Sequence, residues 1–140
     1  MQYTNQQELA VEQLATVFKK AGLSRPVNNQ QVLEKMLSGA SILWTAWDGD
    51  KLVGVARALT DYGHVCYLAD LAVIDEYQHQ GIGRKLVDKL KEQLGKDITL
   101  VLFAAPSAMN YYAKLGFKNV NTGFMILGDA QANHSTENQN

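Results

Sequence analysis

Six consecutive residues, Gln78-His79-Gln80-Gly81-Ile82-Gly83, combine the features that hold an anion on backbone alone. They fall between an apolar run, Tyr67 to Ile74, and a stretch in which Ile82, Leu86, Leu90 and Leu94 recur at helical spacing. Strand, glycine turn and helix in that order leave backbone N–H groups unpaired at a helix N-terminus, where the macrodipole adds partial positive charge. Such a turn binds phosphate, and Gly81 and Gly83 let a ligand come close to the main chain. A plain tight turn is the competing reading of the same six residues. Two common nucleotide motifs are excluded. The dinucleotide fingerprint needs a third glycine where Leu86 stands, and Gly83-Arg84-Lys85-Leu86 lacks the Gly-Lys-Ser/Thr of a P-loop.

A second cluster, Tyr111-Tyr112-Ala113-Lys114-Leu115-Gly116-Phe117, follows further along. Together the two clusters resemble the pyrophosphate motif and the Tyr-x-Lys-x-Gly-Phe signature of the GCN5-related N-acetyltransferases, the GNAT family. The resemblance runs from about Ser41 to Leu127. It implies acetyl-coenzyme A as co-substrate and no metal. It also implies that main-chain groups of Leu71, Ala72 and Val73 pair with pantetheine as an added strand would. The amides of Gln78, His79, Gln80, Gly81, Ile82, Gly83 and Arg84 would take the pyrophosphate. Tyr112 would contact the cofactor and act as general acid. A phenol of pKa ~10 can protonate a departing thiolate whose conjugate acid has a pKa of ~8.5. One departure from the pattern is Ala105, where many members carry an asparagine that touches the cofactor.

An ammonium must lose a proton before it attacks, so a base is sought. Asp70, near the centre of the strand, is the leading candidate, followed by Glu76 and His64. Arg84 and Lys85 read either as screens for phosphate charge or as solvated helix residues. Cys66 lies two positions from His64 and shares its face of a strand, yet it reads as a packing cysteine because an activated thiol needs cationic surroundings. Trp44 and Tyr62 read as core or rim residues that could also line an acceptor pocket. The expected activity is acetyl transfer to a primary amine of a small molecule by direct attack in a ternary complex. A protein lysine or N-terminal amine, or a non-catalytic acyl-coenzyme A sensor, are the alternatives.

The elements that must position these residues are legible. A short strand opens the chain at Met1 to Thr4. Helices are expected over Glu8 to Ala21 and from Asn29 to Ser38, the second capped by Asn28. In the family this helical region overlies the acceptor and bears on substrate choice. Strands over Ser41–Trp47 and Leu52–Leu59, joined by Asp48-Gly49-Asp50, and a third over His64–Ile74 form a meander. The helix from Gly81 to Leu94 is followed by a strand over Asp97–Phe103, apolar enough to be covered on both faces. A short helix, Ser107 to Lys114, and a last strand, Val120 to Leu127, complete the pattern. The expected fold is α/β (α+β) of GNAT type: a central mixed, mostly antiparallel sheet with a splayed strand pair and helices on both faces. It forms one domain over residues 1–128, with a polar, disordered tail over 129–140.

The totals agree with that. The chain has 140 residues, an apolar fraction of 46% and a net charge of −1, so nucleic acid and anionic membrane have no broad basic face to bind. One cysteine permits no internal disulfide. No signal peptide and no run of the ~20 apolar residues needed to span a bilayer is visible. A cytoplasmic protein is expected, with a homodimer as a common state of the resembling family.

Overall fold

The computed structural model describes residues 1–131. These contain β1 (Gln2–Thr4), α1 (Val11–Ala21), α2 (Gln30–Gly39), β2 (Ile42–Asp48), β3 (Lys51–Thr60), β4 (Val65–Val73), α3 (Ile82–Leu94), β5 (Thr99–Val101) and α4 (Met109–Lys114). Single 3-10 turns at Asp75–Tyr77 and Pro106–Ala108 precede α3 and α4. The chain divides into two compact units, one ending at Leu102 and one beginning at Phe103.

In the first unit the sheet order is β1-β2-β3-β4-β5, antiparallel except for the parallel pair β4/β5. Helices cover both faces. On β3, Gly54 and Arg57 are three residues apart and so point to opposite sides. A Cβ at Gly54 would come within 3.1 Å of Leu86 and 3.2 Å of Ile82, which puts α3 on that face. Arg57 Nη1 donates to the Met36 carbonyl, which puts α2 on the other. Asn29, rather than the neighbouring Asn28, caps α2 through its side chain, accepting from Val32 N–H at 3.2 Å. Leu14, Phe18 and Leu33 of the first two helices are fully buried, as are Val53 and Val55 of β3 and Leu86, Val87 and Leu90 of α3.

Two strand expectations are corrected. β5 is only three residues long, Thr99–Val101, and half open to solvent rather than covered on both sides. It has a single neighbour, β4, and pairs with it over Val65–Tyr67 alone. Residues 120–127 form no strand. Their apolar, β-prone composition signals a tendency, but a strand exists only where a neighbour accepts its hydrogen bonds. Of the expected tail, residues 129–131 make a helical turn, with Gln131 N–H on the Gly128 carbonyl at 3.0 Å. Residues 132–140 lie outside the described residues.

Candidate active site

β4 carries one residue more than β3 along their shared ladder. Arg57 lies opposite Asp70 and Ala58 opposite Leu68, leaving Ala69 without a counterpart. A bulge of this kind bends its strand, and the pairing with β5 stops at Tyr67, just before it. Within the first unit, therefore, β4 from Leu68 to Val73 has β3 on one side and no paired strand on the other, which leaves an open edge there. This is the splayed pair expected from the sequence.

Alternate residues of an antiparallel strand direct their N–H and C=O toward the partner or away from it. Ile74 N–H donates to the Val53 carbonyl at 3.0 Å. Ala72, opposite Val55, therefore belongs to the set bonded to β3, and Leu71 and Val73 to the set facing the open edge. Of the three residues expected to offer main-chain groups, Ala72 spends its own on Val55. Two carbonyls of the stretch are held by side chains: Ala69 accepts from Arg25 Nη2 at 3.3 Å and Val73 from Gln78 Nε2 at 2.8 Å.

Gln78 thus ties the end of β4 to the loop that follows it. In that loop His79 (φ 65°) and Gly81 (φ 84°) both adopt the left-handed conformation. Glycine does so freely, whereas a histidine there is strained. Among the described residues, the N–H groups of His79, Gln80, Gly81, Ile82 and Gly83 reach no backbone carbonyl within hydrogen-bonding geometry. The helical ladder begins with Lys85 N–H on the Gly81 carbonyl at 3.0 Å. Ile82 and Gly83 are buried, while His79, Gln80, Gly81, Arg84 and Lys85 are exposed. The space beside Gly81 is open. Donors without acceptors at a helix N-terminus suit a phosphate group.

Asp70, the leading candidate base, is paired with two arginines. Its side chain is 1% exposed. Oδ1 accepts from Arg25 Nε at 2.5 Å and Oδ2 from Arg57 Nε. Each oxygen of this buried carboxylate thus accepts from one guanidinium group, which ties β3 and the α1–α2 connection to β4. Arg25 also donates to the Ser24 carbonyl at 2.7 Å, and so fastens the α1–α2 connection to β4. Sequence reading missed both arginines. The available signal was Arg57 itself, a lone charge inside the apolar run Val53–Leu59.

The other candidate bases lie elsewhere. Glu76 is exposed and bonded to Lys51 Nζ at 3.0 Å, which holds its carboxyl below the usual range. His64 sits exposed in the β3–β4 turn. Cys66 is fully buried, and burial pushes its thiol up, against thiolate formation. Trp44 Nε1 donates to Gln93 Oε1 at 2.8 Å, and Gln93 Nε2 to Tyr62 OH at 3.0 Å. Both aromatics therefore lie with α3, on the face opposite the Arg25–Asp70–Arg57 cluster.

In the second unit, Tyr112 lies on α4, half-buried. Its ring meets Tyr111 edge-on at 5.3 Å and Phe117 at 5.7 Å. Its carbonyl accepts the N–H of Phe117 at 3.1 Å, closing the helix and fixing the Gly116-Phe117 turn. Ala105, in place of the family's asparagine, accepts from Ala108 N–H at 2.8 Å and opens the 3-10 turn before α4.

The fold is a mixed five-stranded sheet with helices, in which a bulged strand leads into an amide-lined helix start. Residues 3–125 match the family model described as Acetyltransferase (GNAT) domain, a stretch that crosses both units. This chain belongs to the GCN5-related N-acetyltransferase family. It is 41% identical over 70 residues to "GCN5-related N-acetyltransferase 2, chloroplastic" of Arabidopsis thaliana, a match covering 49% of this chain and 27% of that protein. It is 37% identical over 70 residues to "Histone acetyltransferase TAP1" of Glycine max, covering 49% of this chain and 30% of that one. The matches thus take in less than a third of either relative's length. A crystal structure of SA2161 from Staphylococcus aureus, described as a probable acetyltransferase, superposes with a TM-score of 0.78 at 26% identity, over 91% of this chain and 98% of that one.

Proposed function

We propose that this chain transfers an acetyl group from acetyl-coenzyme A to a primary amine of a small molecule, by direct attack in a ternary complex. One observation carries this reading: the open β4 edge at Leu71 and Val73 runs directly into the unsatisfied amides of His79 to Gly83. Pantetheine is an amide chain that can bond to a strand edge, and the pyrophosphate that follows it carries the charge the helix start favours. These residues fit the coenzyme without any basic patch.

Tyr112 is the general acid in this reading. The amine nitrogen bonds to the thioester carbon, the carbon–sulfur bond breaks, and the leaving thiolate takes the phenol proton. The proton lost by the nitrogen passes to solvent, from which the tyrosine is reprotonated. No side-chain base is assigned, because Asp70 is committed to two arginines. The amine enters as its free base. Cys66, reduced and buried, suits a reducing compartment such as the cytoplasm. Among the described residues no helix is long and apolar enough to cross a membrane.

The name of the soybean relative supports a second reading, in which the acceptor is a protein lysine or N-terminal amine. A thiol-release screen with acetyl-coenzyme A against small amines and lysine-bearing peptides separates the two. Turnover with small amines is expected, and turnover confined to peptides establishes the second reading. Calorimetric binding of acetyl-coenzyme A with no thiol release from any acceptor identifies a sensor and ends the proposal.

A further inference from the structure

Two guanidinium groups share one carboxylate inside the first unit. Arg25 and Arg57 both pair with Asp70, and among the described residues no other acidic side chain forms an ion pair with either. Their other partners, the carbonyls of Ser24, Ala69 and Met36, carry no formal charge. The cluster therefore holds one positive charge more than it balances. Asp70 is 2% exposed and Arg57 9%, a setting in which a charge without a counter-ion is costly.

The surplus charge has an outlet. Arg57 places Nε on Asp70 and Nη1 on the Met36 carbonyl, while Nη2 has no hydrogen-bond partner. Among the described residues no side-chain nitrogen or oxygen is both wholly buried and unbonded. Nη2 therefore opens onto solvent from a side chain that is otherwise covered. Arg25 is the more open of the two, and each of its Nη atoms keeps one N–H beyond those given to Ser24 and Ala69.

We propose that the acceptor amine carries a carboxylate a few bonds away, and that this carboxylate docks on the free N–H groups of Arg57 and Arg25. The inference rests on the reading in which acetyl-coenzyme A lies along β4. With its pyrophosphate at His79 to Gly83, the pantetheine passes Val73 first and Leu71 next, and the thioester at its far end is directed toward Ala69. Arg25 Nη2 bonds the Ala69 carbonyl at 3.3 Å, and Asp70 is the next residue along the strand. The two arginines thus stand beside the point at which an amine meets the thioester. A guanidinium fork matches the two oxygens of a carboxylate, and one surplus positive charge calls for one negative charge. An amino acid or related aminocarboxylate meets that requirement. A polyamine or a basic peptide brings further positive charge and does not.

Thiol release from acetyl-coenzyme A by the full chain tests this with matched acceptors. β-Alanine is compared with β-alaninamide, which has the same shape without the charge, and γ-aminobutyrate with n-butylamine. The amide lowers the basicity of its amine, so an advantage of the acid cannot come from a larger share of free base. An advantage of about tenfold or more in kcat/KM is expected for the carboxylate member of each pair, carried mainly by KM. Equal or better turnover of the uncharged member overturns the carboxylate assignment and leaves the acetyl-transfer reading standing. Thiol release confined to peptides, or from no amine at all, ends the small-amine reading and this assignment with it. In Arg25→Met the surplus charge is gone, and the carboxylate advantage is expected to shrink to within about twofold. That ratio is taken on one preparation, so a reduced folded fraction cancels. An undiminished advantage in Arg25→Met overturns the proposal.

Discussion

Arg25 Nε lies 2.5 Å from Asp70 Oδ1, joining the α1–α2 connection to the bulged centre of β4. The other oxygen of Asp70 belongs to Arg57 of the adjacent strand. One buried carboxylate therefore holds a loop and two strands of the sheet in register, at the point where β4 turns away from β5.

Removing that carboxylate leaves two guanidinium groups without their partner, one of them nearly buried. Asp70→Asn is expected to lower the unfolding free energy by about 3–5 kcal/mol, read as a shift of the urea midpoint. Arg25→Met costs less, because Arg25 is the more exposed partner, with a side chain 23% open to solvent. Intact stability with turnover abolished in Asp70→Asn would assign Asp70 the role of base.

Gly54 is packed for lack of a side chain. A Cβ there meets Leu86 and Ile82 near 3 Å, at the N-terminal half of α3. Gly54→Val is expected to cost about 1–3 kcal/mol by overpacking and to weaken acetyl-coenzyme A binding, because the helix start that lines the cradle is pushed outward. Chemical denaturation and calorimetry on one preparation read both effects.

Gly81 has open space beside it but a φ of 84°. Gly81→Asp places a strained residue and a negative charge where phosphate is to bind, and at least a tenfold loss of affinity is expected by calorimetry. His79→Gly relaxes the strained φ of 65° and is expected to leave affinity within about twofold. Unchanged affinity in Gly81→Asp places the pyrophosphate elsewhere.

Tyr112→Phe removes the proposed acid and keeps the ring that packs on Phe117. A fall in kcat of about 100-fold or more is expected, with coenzyme affinity and melting temperature retained. In the wild type, kcat/KM is expected to rise with pH toward the pKa of the amine, since only the free base attacks. An additional inflection in the carboxylate range would reveal a side-chain base.

Asp61 Oδ1 accepts the N–H groups of Gly63 and His64 at 2.8 Å and of Val65 at 3.2 Å. These bonds favour the ionised form and lower its carboxyl from 3.8 to about 2. A depressed folded-state value means the contribution is complete above the unfolded value and is lost as pH falls toward about 2. Wild-type stability should decline across that window more steeply than that of Asp61→Asn, as followed by denaturation between pH 4 and pH 2.

The amino-acid sequence determined what local rules govern. Apolar spacing placed α1, α2 and α3, turn residues divided β2 from β3 and β3 from β4, and Gln78 to Gly83 marked the glycine turn ahead of α3. These features depend on neighbours a few residues away. Pairing across the sheet was decided by the tertiary structure alone. The unpaired residue at Ala69 exists only because β3 fixes the register of β4, and it is the ladder with β3 beyond it that engages Ala72 and turns Leu71 and Val73 the other way. The partners of Asp70 were decided in the same way, with Arg25 arriving from a loop 45 positions earlier in the chain. Residues 120–127 have the composition of a strand, but composition supplies no neighbour, and a strand without a neighbour does not form.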